Sequence, residues 1–214
     1  MKKITIAAFF AILFAGCALP PDVRMDPTWK EVPKTVEVQY SEPLVENLDD
    51  VKDDLADYAD KFGSWFSTAF DSVMKAKTKS EIQMSLKDDN YFKSSRDTVN
   101  NKTVAIPTAE ISSDKDVILM MNPIKVLSTM ETSQDINATP GMPGATTGGY
   151  TTQKYLVYDV QFAYYDAKTQ KRLGFGNVYV KQAPSFALTR SDWYENMGKL
   201  VDAVIKGSPW APAK

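Results

Sequence analysis

Between Tyr155 and Tyr165 the chain reads YLVYDVQFAYY, and no other run constrains its fold as tightly. In an extended strand Leu156, Tyr158, Val160, Phe162 and Tyr164 fall on one side, and Tyr155, Val157, Asp159, Gln161, Ala163 and Tyr165 on the other. The polar turn DAKTQKR follows, then LGFGNVYVK from Leu173 to Lys181, so the two runs predict a β-hairpin. Thr35 to Tyr40 (TVEVQY) predicts another strand, ended before Pro43. Asp116 to Met130 predicts one more, dense in VILMM and interrupted at Pro123, where a bulge or a sheet edge is expected. A brief strand is expected over 90–96.

Elsewhere the period changes from two to between three and four. Leu48, Val51, Leu55, Ala59, Phe62, Phe66, Phe70 and Val73 predict a long amphipathic helix, acidic at its start and followed by Lys75, Lys77 and Lys79. Its polar face is acidic, which suits core packing better than a membrane surface. SEIQMSLKD over 80–88 predicts a second, short helix. A terminal helix opens at Asp192 as N-cap, buries Trp193, Met197, Leu200, Val201, Val204 and Ile205, and stops at Gly207 and Pro209. These elements predict an α+β fold: a two-layer sandwich with a mostly antiparallel sheet and helices packed on one face.

The chemistry open to this chain is narrow. It has no histidine, so no Ser-His or Cys-His nucleophile and no imidazole zinc site can form. Ser-x-x-Lys occurs at Ser72 and at Ser112, but Ser-Asp-Asn and Lys-Thr-Gly are missing. No catalytic residue, metal or cofactor is expected. Asp159, a carboxylate in an otherwise apolar strand, is the one candidate for a raised pKa and for a carboxylate-dependent wall hydrolase. Exposed tyrosines would suit protein docking or glycan stacking, and Tyr150, Tyr155, Tyr165 and Tyr179 are the expected interaction surface.

The first residues look like an export signal. Lys2 and Lys3 precede an uncharged apolar run from Ile4 to Ala15. Twelve helical residues span about 18 Å, too short for the roughly 30 Å of a bilayer core. Without residues 1–16 the chain loses Lys2 and Lys3 from its 25 basic groups, leaving 23 against 27 acidic ones, or −4. A nucleic-acid partner is therefore not expected.

Leu13-Phe14-Ala15-Gly16-Cys17 resembles the lipobox of bacterial lipoproteins, with Phe14 in place of the usual Leu. The resemblance implies cleavage between Gly16 and Cys17, with a diacylglycerol thioether and an amide-linked acyl chain on Cys17. The alternative is ordinary cleavage after Ala18. Ala18, where an Asp would signal retention at the inner membrane, implies the outer membrane, with the domain facing the periplasm. The expected organisation is a signal over 1–16, a proline-rich tether over 17–33, a single domain over 34–209 with a mobile loop at 135–152, and a tail over 210–214.

The strand-helix-strand-strand-strand-helix order also resembles the periplasmic TolB N-terminal, CsgG-like and LpoB-like lipoprotein domains. Tyr155, Val157, the Asp166 to Thr169 turn and Leu173 carry that likeness. It implies a non-enzymatic partner of another envelope protein, held at the membrane by its lipid.

Overall fold

The computed structural model describes residues 22–46, 62–88, 90–134, 150–183 and 190–211. Its spine is β9 (Tyr150–Asp166), a run of 17 residues without glycine or proline. β9 pairs antiparallel with β10 (Arg172–Gln182) on one side. On its other side it pairs with β8 (Lys125–Gln134) along its first half and with β7 (Val117–Met121) along its second. β2 (Thr35–Tyr40) then lies parallel to both β7 and β4 (Glu81–Leu86), and β3 (Leu44–Val45) lies parallel to the start of β8. β1 (Asp22–Met25) closes the far edge against β10. The fold is a sheet-dominated mixture of strands and helices, and its main sheet is mostly antiparallel, as expected, with β2 and β3 adding parallel pairings.

Alternation along these strands sorts the side chains into two apolar clusters. Val36, Val38, Leu119, Tyr158, Phe162 and Tyr164 pack with Phe66, Phe70 and Met74 of α1 (Phe62–Thr78) and with Trp193, Met197 and Leu200 of α2 (Arg190–Ile205). Ile118, Met120, Ala163, Tyr165 and Phe175 instead pack with Val99, Val104 and Ile106, which belong to a hairpin of β5 (Lys93–Val99) and β6 (Lys102–Thr108). Asn100 and Asn101, with φ of 50° and 63°, make the two-residue turn of that hairpin.

Several expectations are corrected. The segment 80–88 is strand β4: Ile82 and Met84 alternate with Glu81, Gln83 and Ser85, and the run pairs with β2. The strand expected over 116–130 is two, β7 and β8, divided at Asn122, Pro123 and Ile124 because proline has no amide for the ladder. The brief strand expected at 90–96 continues as β5 to Val99. Nor is 17–33 wholly a tether, since β1 joins the sheet at Asp22 and Trp29 packs tilted against Tyr164 and edge-on to Trp210, at centroid distances of 5.2 and 5.4 Å. Trp210, placed in the tail by the sequence, is 9% exposed and donates to Ser80 Oγ at 3.0 Å, while Ser80 donates to Pro33 O at 2.6 Å. Tyr150, Thr151 and Thr152 belong to β9; the rest of the expected loop, 135–149, lies outside the described residues, as does the expected helix from Leu48 to Lys61.

Two backbone positions carry testable weight. A Cβ on Gly176 would stand 2.7 Å from Asp22 O and 3.0 Å from Val23 Cα, so β1 docks only because β10 has no side chain there. Gly176→Val should free β1, with loss of amide-exchange protection at Asp26, whose N–H donates to Leu173 O at 2.7 Å, and of about 1–3 kcal/mol of stability. Retained protection would show that the crossing does not need the glycine. Lys79 ends α1 with φ of 61°, where a Cβ is strained, so Lys79→Gly should stabilise the fold by about 0.5–1 kcal/mol in urea unfolding.

Candidate interaction surface

The β5–β6 hairpin covers only one end of its sheet face. Past it, toward the start of β9, that face turns polar and aromatic. Three neighbouring strands bring Tyr179, Asp159 and Lys125 into one cross-strand row, and the adjacent row sets Asn177 beside Gln161. Asn122 Nδ2 donates to Gln161 Oε1 at 3.3 Å. With its amide nitrogen turned toward β9, Asn177 donates to Asp159 Oδ1 and to Val160 O, each at 3.0 Å. Farther along, the Lys181 ammonium sits 3.7 Å from the ring centroid of Tyr155 and pairs with Glu131.

Asp159 is the perturbed group in this row. Burial pushes its carboxyl above the ordinary 3.8; Lys125 and the Asn177 amide pull it down, and Glu46, itself 3.4 Å from Lys125 Nζ, pushes it up again. The net direction is upward. A hydrolytic pair needs two acids across a cleft. Here Asp159 has a lysine and a tyrosine as cross-strand neighbours, on a sheet face.

Concave surface lies at the opposite pole. A depression of about 570 Å³ is lined by Trp29, Lys30, Lys34, Asp116, Asp166 and Lys168, among others. Its aspartates hold the backbone together. Burial pushes the Asp116 carboxyl up, but the N–H groups of Thr35 and Lys34, each donating at 3.1 Å, outweigh it and leave the carboxyl below its usual range. Asp166 is lowered by the Thr169 N–H at 2.7 Å, with the Lys168 N–H at 3.0 Å adding to it, so it stabilises the β9–β10 turn. A smaller depression of about 320 Å³ holds Arg24, Asp97 and Arg172, the last two ion-paired at 2.6 Å. Neither depression includes Asp159. Among the described residues no three acidic, cysteine or histidine side chains gather as a metal site would require.

The predicted surface residues divide. Tyr155 and Tyr179 are half-buried on the open face, and Tyr150 is 73% exposed near the start of β9. Tyr165 is not a surface residue: it is 7% exposed under the β5–β6 hairpin, with its hydroxyl donating to Pro107 O at 3.0 Å. Gly16 and Cys17 lie outside the described residues. Lys125, Asn177 and Lys181 join the expected residues on this face; the strict alternation of β10 is the signal that puts Asn177 and Lys181 beside Tyr179.

No family model and no curated protein matches this chain. Among solved structures, it is similar to a PelC dodecamer from Paraburkholderia phytofirmans at 10% identity, over 89% of this chain and 98% of that one, with a TM-score of 0.41. It is also similar to a neuraminyllactose-binding hemagglutinin homolog from Helicobacter pylori at 11% identity, over 85% of this chain and 86% of that one, with a TM-score of 0.34. At these scores the likenesses lend nothing to the reading of the surface.

A raised carboxyl pKa means that the fold binds the Asp159 proton more tightly than the unfolded chain does. Ionisation therefore costs stability as pH climbs past 3.8 and through the folded value. Asp159→Asn should melt higher than the parent at pH 7, with the gain vanishing below the ordinary aspartate range. A gain that does not change with pH would contradict this assignment.

Proposed function

We propose that this chain is an outer-membrane lipoprotein, acylated on Cys17 after cleavage at Gly16, whose periplasmic domain binds another envelope protein without catalysis. The observation that carries this reading is the run Leu13-Phe14-Ala15-Gly16-Cys17 five residues ahead of the first strand. Acyl chains on one residue hold firmly because each buried methylene contributes about 0.8 kcal/mol. The two-layer arrangement belongs to the same proposal: α1 and α2 share one cluster with the same side of the sheet, and among the described residues no element beyond the hairpin lies over the Tyr155–Tyr179 side. That open face, with Lys181, Lys125 and Asp159 around its rings, is the proposed protein contact. A glycan-binding or hydrolytic role would call for a cleft at these residues, and the face is a sheet surface.

Two measurements in cells test it. Labelled palmitate should enter the native chain and not Cys17→Ser; label in neither would remove the anchor. A photo-crosslinking residue at Tyr179 should give a discrete adduct with one envelope protein, and the same residue at exposed Glu31 should not. Identical adducts at both positions would remove the proposed contact.

A further inference from the structure

β8 and β9 run on past every other described element. β10 ends at Gln182, opposite Leu156, and β3 reaches only Val126. The six rungs from Thr129↔Tyr155 to Gln134↔Tyr150 therefore form a ribbon with two open edges among the described residues. Such a two-stranded ribbon is marginal in water by itself. Of the large hydrophobic residues described, Met130 and Tyr150 are the most exposed, at 69% and 73%. Register places both on one side of the ribbon with Thr132, Thr152 and Lys154, a side without a carboxylate. Glu131 falls on the other side, paired with Lys181.

The front of the chain enters at this same pole. β1 runs antiparallel to β10, Asp22 opposite Asn177 and Met25 opposite Gly174, so the polypeptide reaches Asp22 from the Gln182 side. Four residues separate Cys17 from Asp22, and the five Cα steps reach about 17 Å at full extension. Asn177 pairs with Gln161, and Tyr150 lies eleven residues back along β9, about 36 Å at ~3.3 Å per residue. The ribbon tip thus reaches about 20 Å beyond the farthest point Cys17 can occupy along that direction. At the other pole Asp166 is five residues from Gln161 and the turn continues to Gln170, about 17 Å or more away. Fully extended, the linker ends level with Asp166, short of the turn that caps that pole, so it cannot seat the domain on that end with the ribbon pointing away.

We propose that the Met130–Tyr150 side of the β8–β9 ribbon rests on the bilayer that holds Cys17, an inference that depends on the acylated-anchor reading above. Tyr150 suits the headgroup boundary and Met130 the acyl edge just below it. Six rungs span about 20 Å, short of the nine to eleven residues per strand that crossing demands, so the contact is peripheral.

The full acylated chain tests this, because its native cysteine is blocked by lipid and one introduced thiol labels uniquely. Thr152→Cys on the ribbon and Lys168→Cys at the far pole would each carry an environment-sensitive fluorophore on phosphatidylethanolamine–phosphatidylglycerol vesicles containing headgroup-nitroxide lipid. The expected result is at least threefold stronger quenching at position 152 than at 168. Adding Met130→Ser and Tyr150→Ser should weaken it while the protein still floats with the vesicles. Flotation with equal quenching at both positions overturns the ribbon contact and leaves the anchor standing. Failure to float overturns the anchor and the contact together. A concentration-dependent blue shift at position 152 in the vesicle-free Cys17→Ser chain would assign the ribbon to a second copy of the protein instead.

Discussion

One strand, β9, is hydrogen-bonded on both sides over most of its length, and each layer of the molecule takes its position from it. Its even-numbered side chains from Leu156 to Tyr164 enter the cluster shared by the two helices, and Ala163 and Tyr165 enter the one closed by the β5–β6 hairpin. Tyr158, Phe162 and Tyr164 are among the largest fully buried side chains, and Phe162 alone contributes about 1.5–3 kcal/mol by leaving water. A one-residue slip would exchange the two faces and bury Asp159 and Gln161 among the helices. The register is therefore fixed by two cores at once. The same strand outruns both cores at its first end, and that surplus is the ribbon.

How much of this was legible in the sequence depended on whether a segment's partner is local. β2, β9 and β10 declare themselves by alternation, and the stop of α2 by Gly207, whose φ is 76°. β4 does not, because EIQMSL also suits a helix, and what decides it is the distant pairing with β2. β6 hides behind Pro107 and an Asn-Asn turn whose left-handed backbone has no glycine to mark it. β1 has only four residues among prolines and reads as a tether; it is a strand because Gly174 and Gly176, 150 residues later, let it approach. On the site, Tyr165 and Tyr179 lie on the same side of the sheet, and no local pattern tells which of them the hairpin covers.

β1 changes what a membrane anchor would mean for this domain. A tether over residues 18–33 would let it stand as much as 55 Å from the bilayer at full extension. With Asp22 pinned to Asn177 and Trp29 held between Tyr164 and Trp210, the free length falls to about a third of that. On the proposed anchor the domain would sit against the lipid with its ribbon pole inward, and the depression lined by Trp29, Lys30 and Lys168 would face away from the membrane.

The height of the domain above the lipid tests this most directly. Neutron reflectometry of the acylated chain on a supported bilayer should show protein density beginning at the headgroups, with no solvent layer between. A water-filled gap of some 30 Å or more would mean that β1 does not hold the front of the chain to the sheet, and would contradict the close-anchored domain.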